Sequence, residues 1–260
     1  MIIERFRVKN LFGKNYDVQL NGDINFLYGE NGCGKTVLME AINSVLSGNY
    51  DFLKKAEVTE VIIDVFRNLD DKSSDCIYIS QEDIKNDIYK LINYAETGKP
   101  SSIFIEEEYD SVKAEFIRSK MNSAFEEKNT AAIATGIMKI VNELLTGSNL
   151  FVCGIIKGDL CLSSGDNVFS ISRAGSGLIQ VLYLFTKLLL DNTGNGTVFL
   201  IDMPEAHMHV DIQRRIVDAI MECTDNQLII ATHSPEIIAS FGKNMINVSG
   251  TRYKEQKVWF

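Results

Sequence analysis

The chain has 260 residues, 45% of them hydrophobic and 23% charged, with a formal net charge of -9. That length sustains one sizeable α/β core, and the acidic balance gives no support to unspecific nucleic-acid binding, which draws on lysine and arginine. No apolar run reaches the ~20 residues of a membrane span. The N-terminus, "MIIERFRVKN", lacks the basic and apolar regions of a signal peptide. Five cysteines (Cys33, Cys76, Cys153, Cys161, Cys223) form no C-x-x-C pair, which fits free thiols in the cytoplasm rather than a disulfide framework or a zinc site.

The first segments read as strands: "IIERFRV" alternates, "NYDVQL" follows a turn, and "INFLYG" is a short apolar run ending in glycine. "ENGCGKTVLMEAINSVLSG" then opens with glycines and places Val37, Leu38, Ala41, Ile42, Val45 and Leu46 at helical spacing, with Gly48 as the expected C-cap. "EVIIDVF" and "DCIYIS" read as two more strands. From Glu82 to about Gly147 the pattern turns helical and charged, without the sustained heptads of a long coiled coil. Strands return in "LFVCGIIKGDLCLSSGDNVFSIS", broken by hairpin turns at Gly158 and "SSGDN". The turn "RAGSG" leads into the apolar helix "LIQVLYLFTKLLL". "TVFLID" reads as a buried strand, "VDIQRRIVDAIMEC" as an amphipathic helix and "QLIIATH" as another buried strand. Strands alternating with helices predict an α/β fold whose central sheet is mainly parallel, with an antiparallel N-terminal part and a helical insertion at about 82–148. No linker or repeat divides the chain, so residues 1–260 are expected to form one domain. The two basic runs, "RFRVKN" and Arg214–Arg215, are expected to be solvated faces.

Two motifs carry chemistry. "GENGCGKT", Gly29 to Thr36, matches G-x-x-x-x-G-K-[ST] between a strand and a helix. In that setting glycines let backbone N–H groups wrap phosphates, Lys35 reaches the β/γ-phosphates, and Thr36 offers a hydroxyl to Mg2+. "VFLIDMPE" is a buried strand that delivers Asp202 to the carboxyl end of the sheet, where α/β proteins bind ligands. Asp202 is the expected magnesium-organising carboxylate, and Glu205 follows three residues on. The alternative role of Asp202 and Glu205 is a strand-end turn and a helix cap. His207 and His209 form an H-x-H pair without a third ligand nearby, which is not a metal site.

"IIERFRVKN…INFLYGENGCGKTVLMEAIN", "SISRAGSGLIQVLYL", "LIDMPEAHMHVDIQRRI" and "LIIATHSPEII" together resemble the ABC-type P-loop NTPase heads of the RecF, structural-maintenance-of-chromosomes (SMC) and OLD-nuclease clan. Compact heads of this sort resemble AAA-annotated ATPases of bacterial anti-phage systems. The resemblance implies ATP and Mg2+ as cofactors. It puts Gly29, Asn31, Gly32, Cys33, Gly34, Lys35 and Thr36 in the phosphate loop. Gln81, in "YISQED", would be the Q-loop residue at the metal and γ-phosphate, or else an exposed loop glutamine. Ser176 and Gly177 would be the signature that reads ATP held by another subunit, and His233 the switch histidine.

The chain departs from the clan at Met203, where relatives carry the catalytic glutamate. Either Glu205 takes over the water, or hydrolysis is slow and ATP acts as a clamp. The implied biology is a nucleotide-switched sensor in a defence complex. Its partners would be a second copy, arranged head to tail, and a separately encoded effector, possibly a nuclease; no membrane is involved. Three alternatives stand beside it: a RecF-like DNA-repair ATPase, a non-hydrolysing scaffold, and a transporter motor, the last opposed by the missing L-S-G-G-Q signature.

Overall fold

The computed structural model describes residues 2–66, 74–86, 101–106, 108–191 and 197–252. Strand β1 (Ile2–Leu11) alternates buried and exposed residues and pairs antiparallel with β2 (Lys14–Gln19). Strand β3 (Ile24–Tyr28) runs into the phosphate loop, and α1 (Lys35–Ser47) leaves it, capped by Gly48 as its sequence predicts. A short helix α2 (Asp51–Lys55) precedes β4 (Glu60–Phe66) and β5 (Ser74–Ser80), and α3 (Gln81–Lys85) follows directly. Next come β6 (Ser101–Ile105) and the helices α4 (Asp110–Glu126) and α5 (Lys128–Leu144). A three-stranded antiparallel sheet is made by β7 (Leu150–Ile156), β8 (Asp159–Ser164) and β9 (Asn167–Ser170). The chain continues through α6 (Ser176–Leu190), β10 (Thr197–Asp202), α7 (Val210–Cys223) and β11 (Leu228–Ala231). It closes with α8 (Pro235–Ser240), β12 (Met245–Asn247) and β13 (Thr251–Arg252).

Two five-stranded sheets organise these elements. One is antiparallel, in the order β13-β2-β1-β4-β5; the other is parallel, in the order β12-β3-β11-β10-β6. The parallel strands β3, β10 and β11 are buried almost end to end, as strands covered on both faces must be. Their alternation divides two cores. Phe26, Phe199, Ile201 and Ile230 join Ile117, Met121, Val141 and Phe185 of α4, α5 and α6. Leu27, Val198, Leu200 and Ile229 join Leu38 and Ile42 of α1 and Phe6, Val61 and Ile63 of the antiparallel sheet. Helix α1 therefore lies between the two sheets, and the phosphate loop is held by both.

The stretch expected to be helical contains a strand. Ser101–Ile105 pairs parallel with β10, Ile105 opposite Ile201, and forms an edge of the central sheet. Five residues flanked by charged sequence give too short an apolar run for periodicity to identify. The basic run on β1 is a paired face. Arg5 bonds Asp17 at 2.6 Å, Arg7 bonds Asp64 at 2.8 Å and Lys9 bonds Glu60 at 2.6 Å, each across neighbouring strands. Arg214 pairs with Glu236 at 2.7 Å, and Arg215 caps the carbonyls of Glu143 and Leu144. No helix among the described residues is long and apolar enough to cross a membrane.

One side chain ties the sheets together. Beyond the rung Arg5–Gln19, where β2 no longer covers β1, the buried Gln227 supplies the missing pairing. Its carbonyl accepts the Ile3 N–H at 2.8 Å, and its amide donates to the carbonyls of Ile3 at 2.8 Å and Asn21 at 2.7 Å. Gln227→Leu keeps the volume and orphans these groups. The expected loss is about 3 kcal/mol, since each buried unsatisfied group costs roughly 1–3 kcal/mol; urea unfolding measures it.

Candidate active site

Four neighbouring parallel strands end at one edge of the sheet. Strand β3 leads into Gly29, β11 into Thr232 and His233, β10 ends on Asp202, and β6 leads into Glu106. Since β11 lies between β3 and β10, the His233 turn emerges between the phosphate loop and Asp202.

The loop itself is held from outside. The Tyr16 hydroxyl of β2 donates to the Cys33 carbonyl at 2.9 Å. A Cβ on Gly34 would stand 2.2 Å from that hydroxyl oxygen, and Gly34 has φ +109°, so only glycine fits. Lys35 is buried, its ammonium donating to the carbonyls of Gly29 at 3.0 Å and Glu30 at 3.4 Å, with Cys33 Sγ at 3.7 Å. Asn31 and Gly32 are exposed on the rim. With Lys14, Cys33, His233 and Ser249 they line a cavity of about 720 Å³.

Thr36 Oγ1 donates to Asp202 Oδ2 at 2.6 Å. Burial pushes the Asp202 carboxyl above the usual carboxylate range and the Glu205 charge adds to this, while the Thr36 bond, Lys35 and His233 pull the other way. Two oxygen donors side by side, one of them a carboxylate, suit a small hard cation such as Mg2+, which keeps several waters.

Past Asp202 the chain turns tightly, with Met203 at φ +46° and His207 at φ +61°. The Met203 N–H donates to the Ala231 carbonyl at 2.9 Å, which pins the turn to β11. The turn carries Glu205 inward, to 8% exposure. Glu205 Oε1 accepts three bonds from the next turn: Thr232 Oγ1 at 2.7 Å, the His233 N–H at 2.8 Å and the Ser234 N–H at 3.1 Å. Its Oε2 is buried and has no partner among the described residues. Glu205 and His233 thus sit on turns joined by one carboxylate oxygen. His209 caps α7 with its side chain, and no group of three His, Cys, Asp or Glu side chains among the described residues is arranged to hold a metal.

The remaining candidates are placed elsewhere. Ser176 and Gly177 open α6. A Cβ on Gly177 would stand 2.5 Å from the His207 carbonyl oxygen, so this glycine lets α6 pack on the turn after Asp202. The Ser176 hydroxyl donates to Asp110 Oδ2, at the start of α4, at 2.6 Å. Gln81 is exposed and opens α3 after β5, the outer strand of the antiparallel sheet. The position expected for Gln81 beside Asp202 belongs instead to the residue that follows β6, Glu106. The reason is topological: β5 borders β4, whereas β6 borders β10. Tyr16, Asp110 and Glu106 were not singled out in the sequence. Only the run "SSIFIE", apolar and then acidic, signals Glu106; a contact such as Tyr16 to Gly34 leaves no sequence signal.

A family model described as "AAA domain, putative AbiEii toxin, Type IV TA system" matches residues 98–239, and one described as "AAA domain" matches residues 2–151. No curated protein matches the chain in sequence. Among solved structures, an SMC head bound to the C-winged helix domain of ScpA is 18% identical with a TM-score of 0.62, covering 97% of this chain and 95% of that one. The SMC head domain from Thermotoga maritima is 11% identical, with a TM-score of 0.53 and 92% coverage of both chains. An SMC head with an extended coiled coil, bound to the C-terminal domain of ScpA from Pyrococcus furiosus, is 14% identical with a TM-score of 0.55, covering 96% of this chain and 94% of that one. These likenesses establish the fold as that of an ABC-type head.

The carboxylates at the strand ends give a pH prediction. Burial, Glu108 and Asp202 raise the Glu106 carboxyl, and burial, Glu106 and Asp202 raise that of Glu40, one helical turn after Thr36. A raised folded-state pKa favours the fold below the unfolded value and disfavours it once pH rises through the folded value. Without divalent cation, Glu106→Gln is therefore expected to raise the melting temperature at pH 7. The gain should shrink towards zero below about pH 4, where both states are protonated. Thermal unfolding across pH measures this.

Proposed function

The chain belongs to the AAA-domain family of P-loop ATPases, and from that premise we propose that it hydrolyses Mg-ATP with Glu205 as the carboxylate that positions the attacking water. The observation that carries this reading is Glu205 itself, with one oxygen bound by three donors and the other buried without a partner. An unsatisfied buried acceptor costs roughly 1–3 kcal/mol, and a water delivered with the substrate would satisfy it. Met203, where relatives carry the acid, has no group to accept a proton. Three-donor anchoring gives Glu205 the fixed geometry that a water-orienting group needs. Lys35 and the loop N–H groups would hold the phosphates, and Thr36 and Asp202 the metal. When bound, Mg2+ and ATP supply charge neutralisation and the reacting phosphoryl group. His233, fixed through its own N–H, would face the γ-phosphate from the loop side.

The active unit in this reading is a head-to-tail pair, with Ser176 of one copy completing the site of the other. The nucleotide state would then gate a second protein, an effector in a defence complex in the cytoplasm. Two comparisons support that biology: the toxin–antitoxin description of the matching family model, and SMC heads described as bound to pieces of ScpA. A RecF-like DNA role is less well supported, because the basic runs are spent on carboxylates and carbonyls.

Phosphate release by the wild type and by Glu205→Gln tests the assignment. The variant should keep Mg-ATP affinity and lose about a hundredfold or more in rate, the usual cost of removing a general base. ATP binding without turnover in the wild type would instead make the chain a nucleotide clamp. The partner contact is testable separately. Asp110 competes with phosphate for the Ser176 hydroxyl, so Asp110→Asn should tighten ATP-dependent dimerisation in sedimentation experiments. An unchanged or weaker dimer would count against the head-to-tail arrangement.

A further inference from the structure

Glu205, whose Oε1 also accepts the His233 N–H, belongs to a closed hydrogen-bonded ring whose far side is a single glutamine. The Ser234 N–H donates to Glu205 Oε1 at 3.1 Å. The Ser234 hydroxyl donates to Gln213 Oε1 at 2.7 Å. Gln213 Nε2 donates to the Met208 carbonyl at 3.0 Å. The Met208 N–H donates to the Glu205 carbonyl at 3.1 Å, which closes the ring.

The polarity of the ring is fixed. Ser234 Oγ also caps α8 by accepting the Ile237 N–H at 3.3 Å, so its one proton is left for an acceptor. The Met208 carbonyl needs a donor. A glutamine, with an acceptor and a donor at the tip of one side chain, satisfies both. Gln213 stands in the first turn of α7, on the helix that leaves the Glu205 turn, and its tip crosses to the turn that leaves β11.

We propose that Gln213 is a positioning residue for hydrolysis, keeping the Glu205 carboxylate and the His233 backbone in one fixed relation. This rests on the reading of Glu205 as the hydrolytic carboxylate. Gln213 touches neither substrate nor metal; it acts by preventing the two turns from moving apart. Lys35, Thr36 and the rest of the phosphate loop lie outside the ring, so nucleotide binding does not depend on it.

Gln213→Met keeps the length of the side chain and removes both polar ends. Hydrolysis is expected to fall on the order of ten- to a hundredfold, the scale of a small misplacement of a catalytic group. Mg-ATP affinity should stay within about twofold, because that loss lies in the reacting geometry and not in ground-state binding. Combined with Glu205→Gln, Gln213→Met should add almost nothing, since groups that act as a unit are not additive. An additive loss, or an affinity that falls together with the rate, would make Gln213 merely structural and overturn the proposal.

Amide hydrogen exchange gives a readout that needs no turnover. In Gln213→Met, exchange should speed up together in segments 203–209 and 232–238 and stay unchanged in 29–36. Unchanged exchange in the two turns would also overturn the proposal. If the wild type binds ATP without turning it over, the reading of Glu205 fails, and the exchange result alone decides whether Gln213 couples the turns. Should Gln213→Met not fold, Gln213→Glu retains the acceptor for Ser234 and loses only the donor to Met208. It is then expected to loosen segment 203–209 more than 232–238, and equal loosening would count against the ring.

Discussion

Glu205 Oε1 accepts three hydrogen bonds from three consecutive residues of the turn after β11, and the geometry of the site depends on that junction. Parallel strands set the height of Asp202 and Thr232, but nothing in a β-ladder fixes the loops beyond its last rung. The carboxylate does so, by taking N–H groups that leave the sheet without ladder partners. Because the bonds are charge-assisted and buried, each is stronger than a neutral one. The turn after β10 must therefore follow the turn after β11. Met203 contributes backbone alone to this arrangement, through its left-handed φ and its N–H on Ala231.

The antiparallel sheet serves the same site from the other side. Its core is shared with α1, and Tyr16 reaches from β2 to the loop at Cys33 and Gly34. Gln227 fastens β1 to the strand that carries the His233 turn. A shift of the antiparallel sheet against the parallel one would pull Tyr16 from the phosphate loop and β1 from Gln227. The stability of the fold and the alignment of the site thus rest on some of the same bonds.

Much of this was legible in the sequence. Gly29 to Thr36 and the run ending in Asp202 combine a residue pattern with the strand and helix context that gives it meaning, and both stand where that context places them. Glu205 was named from its place three residues after Asp202 and His233 from the resemblance, but their joining could not be read, since the bonds cross 27 to 29 positions of chain. Gln81 illustrates the opposite failure. Its strand was recognised, but strand order was not, and strand order decides which residue stands beside Asp202. Strand β6 was hidden because five residues of an edge strand carry little apolar signal next to two long helices.

The cluster of carboxylates explains why a site with so much negative charge is tolerated. Asp202 raises the carboxyls of Glu40 and Glu106, Glu106 raises that of Glu40, and all three are also raised by their own burial. Such a group is less favourable in the folded chain than in water while all its members are ionised. A species that binds the folded state and neutralises the charge recovers that free energy, and so adds to stability in proportion to its own affinity. In the opposite sense, Ser176 holds the carboxylate of Asp110 where the head-to-tail reading calls for a phosphate oxygen of the partner's nucleotide. The first arrangement disfavours the cation-free head, whereas the second stabilises the isolated head and, in that reading, would oppose pairing until a phosphate displaces Asp110. A switch requires that difference, because a ligand shifts an equilibrium only by its differential affinity for the two states.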